Sequence, residues 1–247
     1  MTTHATSSVL ITGGNKGLGF EAARRLGEHG WTVFLGSRDE GRGRAAADKL
    51  AAAGADVVLV PLDVTSDESV TEAVRIVRKH TERLDVLINN AGTPGRVVPP
   101  ADATADEIHA VYDTNVYGPI RVTHAFLPLL RAADQPRVVM VSSGGSSFAV
   151  VTDPGQPASK IHELAYSSSK AALNMITVRY AQALPEIKFN IATPGEVANR
   201  KFAATDMNNH TGLLTVTEGT DSIIKLATLD ADGPTGTFID RLGPVAW

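Results

Sequence analysis

A chain of 247 residues with a formal net charge of −4 is long enough to bury a full core and lacks the basic runs of a nucleic-acid protein. Its 43% hydrophobic and 20% charged residues are a globular mixture, not a disordered or fibrous one, and the absence of cysteine excludes disulfides, cysteine-ligated metals and thiol catalysis. Met1 to Ser8 carries no Lys or Arg and no apolar run reaches a membrane span, so the expectation is a soluble, cytoplasmic protein without a signal peptide.

Strand-like apolar runs alternate with helix-like stretches along the whole chain. Val9 to Ile11 precedes Leu18 to His29, with Gly30 placed to end the helix. Trp31 to Leu35 precedes Gly41 to Ala53, and Val57 to Val60 precedes Asp67 to His80, where Thr65 and Glu68 have the spacing of a capping box. Leu84 to Asn89 leads to a helix over Ala105 to Leu130, with an interruption expected at Gly118-Pro119. Val138 to Ser142, a long helix over Leu164 to Leu184, a strand at Lys188 to Ala192, a helix at Thr217 to Leu229 and a short strand at Thr237 to Ile239 complete the pattern. The strands are Val/Ile/Leu-rich and do not alternate with polar residues, which marks strands buried on both faces. The reading is therefore α/β: one doubly wound parallel sheet with helices on both faces, a single domain over residues 1–247. The least regular segments, Gly144 to Glu163 and Gly195 to Thr215, both follow strand ends, where such sheets place ligands.

The turn Thr12-Gly13-Gly14-Asn15-Lys16-Gly17-Leu18-Gly19 joins the first strand to the first helix. Glycines there let the backbone turn tightly and approach a pyrophosphate, and a helix N-terminus offers free N–H groups to an anion. This sequence resembles the classical short-chain dehydrogenase/reductase family, carbonyl-reductase-like branch. Thr12-Gly-x-x-x-Gly17-x-Gly19 is similar to its cofactor motif, Asn89-Asn90-Ala91-Gly92 to its structural motif, Tyr166-Ser-Ser-Ser-Lys170 to its catalytic Tyr-x-x-x-Lys, and Pro194-Gly195 to its Pro-Gly turn. The four motifs occur in the family's order across nearly the whole chain.

The resemblance implies a Rossmann-type oxidoreductase that reduces a small-molecule ketone or aldehyde by hydride transfer from NADPH, returning NADP+. Tyr166 is then the general acid; Lys170, four residues on and on the same helical face, lowers its pKa and holds the nicotinamide ribose. Ser143, the second of the pair ending the fifth strand, polarises the carbonyl, although 22 residues separate it from Tyr166 and leave Ser142, Ser146 and Ser147 as alternatives. Asn115 holds a water linking Lys170 to solvent. The expected cofactor residues are Gly13, Asn15, Lys16, Gly17, Leu18, Gly19, Ser37, Arg38, Asp63, Val64, Asn90, Ala91, Gly92, Tyr166, Lys170, Pro194 and Gly195.

An NAD-selective site carries an acid about 20 residues after the glycines. Ser37 stands there, followed by Arg38, and with Lys16 these favour a 2′-phosphate and hence NADPH. Asp39 is read as a helix N-cap, and Asp63-Val64 resembles the family's adenine-contacting pair. After Pro194-Gly195 no Thr occurs until Thr205, so the nicotinamide carboxamide contact stays open between an insertion and Asn199. His162-Glu163, just before Tyr166, reads as a solvated turn, with the border of the substrate pocket as the alternative. No metal-ligand pattern occurs among the seven His residues. The rival readings are an NAD-linked alcohol dehydrogenase and a non-catalytic dinucleotide-sensing regulatory protein; monomer, homodimer and homotetramer all stay open, and neither nucleic acid nor membrane is expected as a partner.

Overall fold

Strands that are apolar on both sides need cover on both sides. In the computed structural model, which describes residues 6–247, this is how the chain folds; the Met1–Ala5 part of the leader reading lies outside the described residues. The strands are β1 (Ser8–Ile11), β2 (Thr32–Ser37), β3 (Val57–Pro61), β4 (Val86–Asn89), β5 (Arg137–Val141), β6 (Lys188–Ala192), β7 (Gly195–Glu196), β8 (Lys201–Phe202) and β9 (Phe238–Ile239). The helices are α1 (Gly17–Glu28), α2 (Glu40–Ala52), α3 (Asp67–Arg78), α4 (Ala105–Tyr112), α5 (Gly118–Arg131), α6 (Phe148–Val151), α7 (Ala165–Ala183) and α8 (Val216–Ala227). Seven strands form one parallel sheet in the order β3-β2-β1-β4-β5-β6-β9.

Successive side chains of each strand go to opposite cores. Leu10 of β1 joins Phe34, Leu87, Phe126 and Phe189 under α3, α5 and α7. Its neighbours Val9 and Ile11 join Val33, Leu35, Val86 and Ile88 under α1, α2 and α8. All three β1 residues are fully buried, which explains why the sequence shows an unbroken apolar run there. β1 pairs with β2 on one side and β4 on the other, so the connections leave in opposite directions and open a crevice at the strand C-termini.

Two local expectations are corrected. Asp63 accepts hydrogen bonds from the Thr65 backbone and hydroxyl at 2.9 and 2.7 Å, an Asx turn that moves the cap of α3 by one residue. Ser66, not Thr65, is the cap, accepting from the Ser69 N–H at 3.2 Å. The chain also does not break at Gly118-Pro119. It passes from α4 to α5 through a π-helical turn, Asp113–Tyr117, ahead of Pro119, which has no N–H to give an α-type bond. The β7–β8 hairpin, antiparallel and two residues on each side, lies in the segment expected to be irregular.

Candidate active site

The sequence motifs meet along the C-terminal edge of the parallel strands. The glycine turn follows β1, Ser37 and Arg38 end and follow β2, Asp63-Val64 follow β3, Asn90-Ala91-Gly92 follow β4, Ser143 follows β5 and Pro194-Gly195 follow β6.

Each part of the glycine turn has a steric reason. Gly13 and Gly17 have φ values of 63° and 54°, in the left-handed region. A Cβ on Gly19 would lie 2.5 Å from Asn90 Nδ2 and 2.6 Å from the Gly13 carbonyl. Asn90 donates from that same amide to the Thr12 and Gly13 carbonyls at 2.9 and 3.1 Å, while the Thr12 hydroxyl accepts from the N–H groups of Asn90 and Ala91 at 3.0 and 2.9 Å. The β4 motif thus braces the β1 turn from behind. In front, a Cβ on Gly17 would meet nothing within 4 Å, and Lys16, the N-cap residue of α1, makes no capping bond. By contrast α2, α3, α4 and α8 each begin under a side-chain oxygen, from Asp39, Ser66, Thr104 and Thr215. An open cradle before an uncapped helix suits a pyrophosphate.

At the other end of the crevice, α7 carries Tyr166 and Lys170 one turn apart. Lys170 is 3% exposed and donates from Nζ to the Val141 carbonyl at the end of β5, at 2.9 Å. Burial pushes its ammonium down to about 8. The Lys170 Nζ lies 5.8 Å from the centre of the Tyr166 ring. Tyr166 is half-buried as a residue, but its phenol lies deep enough that burial pushes it up to about 12. A hydrogen bond with Ser143 opposes that rise and the charge of Glu163 adds to it. The expectation that Lys170 holds the phenol below its ordinary value is not met here: burial raises it, and the opposing influence comes from Ser143.

Among the four serines, position selects one. Ser142 is buried and donates to Asn174 Oδ1 at 2.7 Å; Ser146 is buried and accepts from Asn174 Nδ2 at 2.8 Å. Ser147 is buried, bonds the Ala246 carbonyl at 2.7 Å and caps α6. Ser143 is half-exposed and hydrogen-bonds Tyr166. Asn115, fully buried in the π turn, ties the β4 loop to α7: it donates to the Thr93 carbonyl at 2.9 Å and Ser169 Oγ at 3.0 Å, and accepts from the Thr93 N–H at 2.9 Å. Gly92 lies between Asn115 and Lys170; a Cβ there would come within 3.3 Å of Asn115 Oδ1 and 3.4 Å of Lys170 Nζ.

The family profile described as "short chain dehydrogenase" matches residues 7–210, a span that holds every one of these groups. The chain is a short-chain dehydrogenase. A (+)-neomenthol dehydrogenase of Arabidopsis thaliana is 32% identical to it, covering 94% of this chain and 95% of that protein. The structure of salutaridine reductase from Papaver somniferum superposes with a TM-score of 0.80 at 26% identity, over 94% of this chain and 99% of the other. An NADPH-bound carbonyl reductase from chicken fatty liver gives 0.84 at 28% identity, over 98% and 99%.

The remaining expected residues of this short-chain dehydrogenase fall as follows. Ser37 is buried and donates to the Asp39 carbonyl at 2.7 Å, and Arg38 is exposed without an ion pair to the described residues. Asp39 is the N-cap of α2, accepting from the Arg42 N–H at 2.9 Å. The Nζ of Lys16 bonds Asp206 at 2.7 Å, so its charge is engaged by the loop that follows β8. Val64 is buried against Gly118. Asn199 donates to the Glu196 carboxylate at 2.9 Å, so its amide is engaged within the loop that follows Pro194-Gly195.

Four groups escaped the sequence reading. Glu163 is not simply a solvated turn residue; it accepts from the N–H groups of Tyr166 and Ser167 at 2.8 and 3.0 Å. Asn174, which ties Ser142 to Ser146, stands four residues after Lys170, and that helical spacing was a visible signal. Asp206 and Arg241 had no local signal. Arg241 reaches Glu196 at 2.6 Å, Asp221 at 3.2 Å and Glu218 at 3.4 Å.

Proposed function

We propose that this short-chain dehydrogenase reduces a ketone or an aldehyde to an alcohol, with NADPH as the reductant. The observation that carries the reading is the meeting of Ser143, Tyr166 and Lys170 beside Gly92, at the strand edge that also holds the open glycine cradle. The names of its relatives, a neomenthol dehydrogenase, a salutaridine reductase and an NADPH-bound carbonyl reductase, support it.

The residues present fit a dinucleotide. The N–H groups of Gly17, Leu18 and Gly19 and the backbone of Gly13 to Lys16, Asn15 included, would receive the pyrophosphate; Asp63 and Val64 lie where the adenine would rest, and Asn90 to Gly92, Pro194 and Gly195 line the path to the nicotinamide. The absence of an acid at Ser37, the unpaired Arg38 and the use of Asp39 as a cap favour a 2′-phosphate over a free hydroxyl. When bound, NADPH supplies the hydride that reaches the carbonyl carbon.

The chain's own groups manage the oxygen. Tyr166 enters as the neutral phenol, since its ionisation lies far above neutrality, and gives its proton to the carbonyl oxygen. Ser143 donates a hydrogen bond to the same oxygen as negative charge builds on it. Lys170, cationic at neutral pH, offsets the tyrosinate that is left and offers hydroxyl-binding N–H groups to the ribose. Asn115, with Gly92 leaving room beside it, places the route by which a water can return the proton.

The test follows NADPH oxidation by absorbance across aldehydes, ketones, diketones and quinones, with NADH in parallel. Turnover with NADPH supports the reading and ranks substrates. Faster turnover with NADH moves the assignment to an NAD-linked alcohol dehydrogenase; NADPH binding without turnover of any class moves it to a dinucleotide-sensing protein.

A further inference from the structure

The N-terminus of α7 is closed by a residue the reaction scheme does not use. Glu163 sits three positions before Tyr166 and turns its carboxylate back over the first turn. One oxygen accepts from the Tyr166 N–H at 2.8 Å; the other accepts from the Ser167 N–H at 3.0 Å and from the Ser167 hydroxyl. Leu164, at the N-cap position itself, makes no such bond. The held Ser167 hydroxyl stands beside the strand-end loop: a Cβ on Gly145 would lie 3.3 Å from it and 3.6 Å from the Ser143 hydroxyl. A single carboxylate therefore fixes the backbone of the acid and the side chain packed against the loop of its hydrogen-bonding partner.

The other charges near α7 are directed elsewhere. From its own helix, Lys170 is bound to the Val141 carbonyl. From α4 and the π turn, Glu107 pairs with Arg96 at 2.6 Å, Asp113 pairs with Arg121 at 2.9 Å, and the His109 ring lies against Tyr117; Asp106 is exposed in the first turn of α4. From the strands beneath, Arg137 and Lys188 bond the Leu229 and Gly233 carbonyls. Ser143 faces the phenol from β5 without a charge.

We propose that Glu163 is a positioning residue of this site: it holds Tyr166 in the first turn of α7 and sets a negative charge at the turn that carries the phenol, where it opposes a tyrosinate. The charge of Glu163 is an identified contributor, after burial, to the raised ionisation of Tyr166. The inference rests on Tyr166 being the acid.

The experiment labels the tyrosine Cζ isotopically and titrates the protein by NMR, with the Tyr166 signal assigned by its loss in Tyr166→Phe. In Glu163→Gln an amide oxygen keeps the cap and the charge is gone. The Tyr166 signal should then move at a pH about half a unit or more below that of the unaltered chain. Glu163→Asp keeps a carboxylate and should titrate nearer the unaltered chain, which separates loss of charge from disturbance of the turn. Coincident titration of Glu163→Gln and the unaltered chain, or a shift to higher pH, overturns the proposal and leaves Glu163 a helix cap alone. Failure of the underlying reading shows itself elsewhere, as turnover retained by Tyr166→Phe in the NADPH assay; that outcome removes the acid and the role of Glu163 with it.

Discussion

Replacing Tyr166 by Phe deletes one hydroxyl and leaves the ring, the Glu163 cap and the glycine turn in place. Turnover should fall about 10²–10⁴-fold, the usual worth of a positioned acid, while the dissociation constant for NADPH, measured by fluorescence titration, stays within a small factor. Retained turnover would sink the assignment. Arg38→Asp places at the end of β2 the charge that a ribose 2′-hydroxyl prefers and a phosphate rejects. NADPH binding should weaken about tenfold or more relative to NADH, and unchanged selectivity would count against the phosphate reading. Tyr166 and Lys170 were legible as letters through their spacing of four on one helix, and Arg38 through its place after the second strand. The ionisation of Tyr166 was not. Its direction is decided by how much solvent the fold removes, and no spacing of residues carries that quantity.

Unlike α2, α3, α4 and α8, α1 begins without a side-chain cap, and it follows the glycine turn directly. Gly19→Ala would press a methyl group into Asn90 and the Gly13 carbonyl, an overpacking of about 1–3 kcal/mol. Both a lower melting temperature and weaker NADPH binding should follow; a variant that binds NADPH normally would show that the β4 brace does not shape the cradle. Asp206 tests Lys16. Its carboxyl is held below the usual range chiefly by the hydrogen bond from Lys16, so the glycine turn and the loop after β8 are tied through one exposed pair. Asp206→Asn frees Lys16 and should tighten NADPH more than NADH, as read by calorimetry; equal effects on the two would mean that Lys16 does not serve the phosphate. The strands of the parallel sheet and the long helices were readable from apolar period, whereas α6 and the β7–β8 hairpin lie in segments read as irregular; Asp39 was recognised as a cap. The start of α3 at Asp67 was readable, but its cap was missed by one residue because an Asx turn and a capping box draw on the same Ser/Thr/Asp letters and differ only in backbone path.

Across the molecule, one network joins the loop after Pro194-Gly195 to the segment behind β9. Arg241 holds Glu196, Asp221 and Glu218, and Asp221 also bonds Arg25 of α1 at 2.8 Å. Hydrogen bonds from Asn199 first, and then Arg241, hold the Glu196 carboxyl below its ordinary 4.5. A carboxyl lowered in the folded state adds stability that is complete above its unfolded value and is lost as the pH falls through the folded one. Arg241→Met should therefore lower the melting temperature at neutral pH, with the gap to the unaltered chain narrowing as the pH falls below 4.5; a gap independent of pH would assign the loss to packing. The parallel class of the sheet was visible in sequence, since runs such as Val9 to Ile11 are apolar on both faces. The Arg241–Glu196 contact was not, because 45 positions separate the partners and only the assembled fold brings them together.

The π turn at Asp113–Tyr117 has an arithmetical consequence. It closes on the fifth residue where an α turn closes on the fourth, so it holds one residue more, and one residue is about 100° of rotation. Val111 and Val122 would stand about 20° apart on a regular α-helix; the extra residue turns them about 80° apart, so Val111 packs by the Gly95 loop while Val122, Phe126 and Leu129 enter the core. Deleting one residue between 113 and 117 would make the rod a regular α-helix and leave both flanking faces in their present phase, so the change would fall on the turn itself, where Asn115 ties the Thr93 loop to α7.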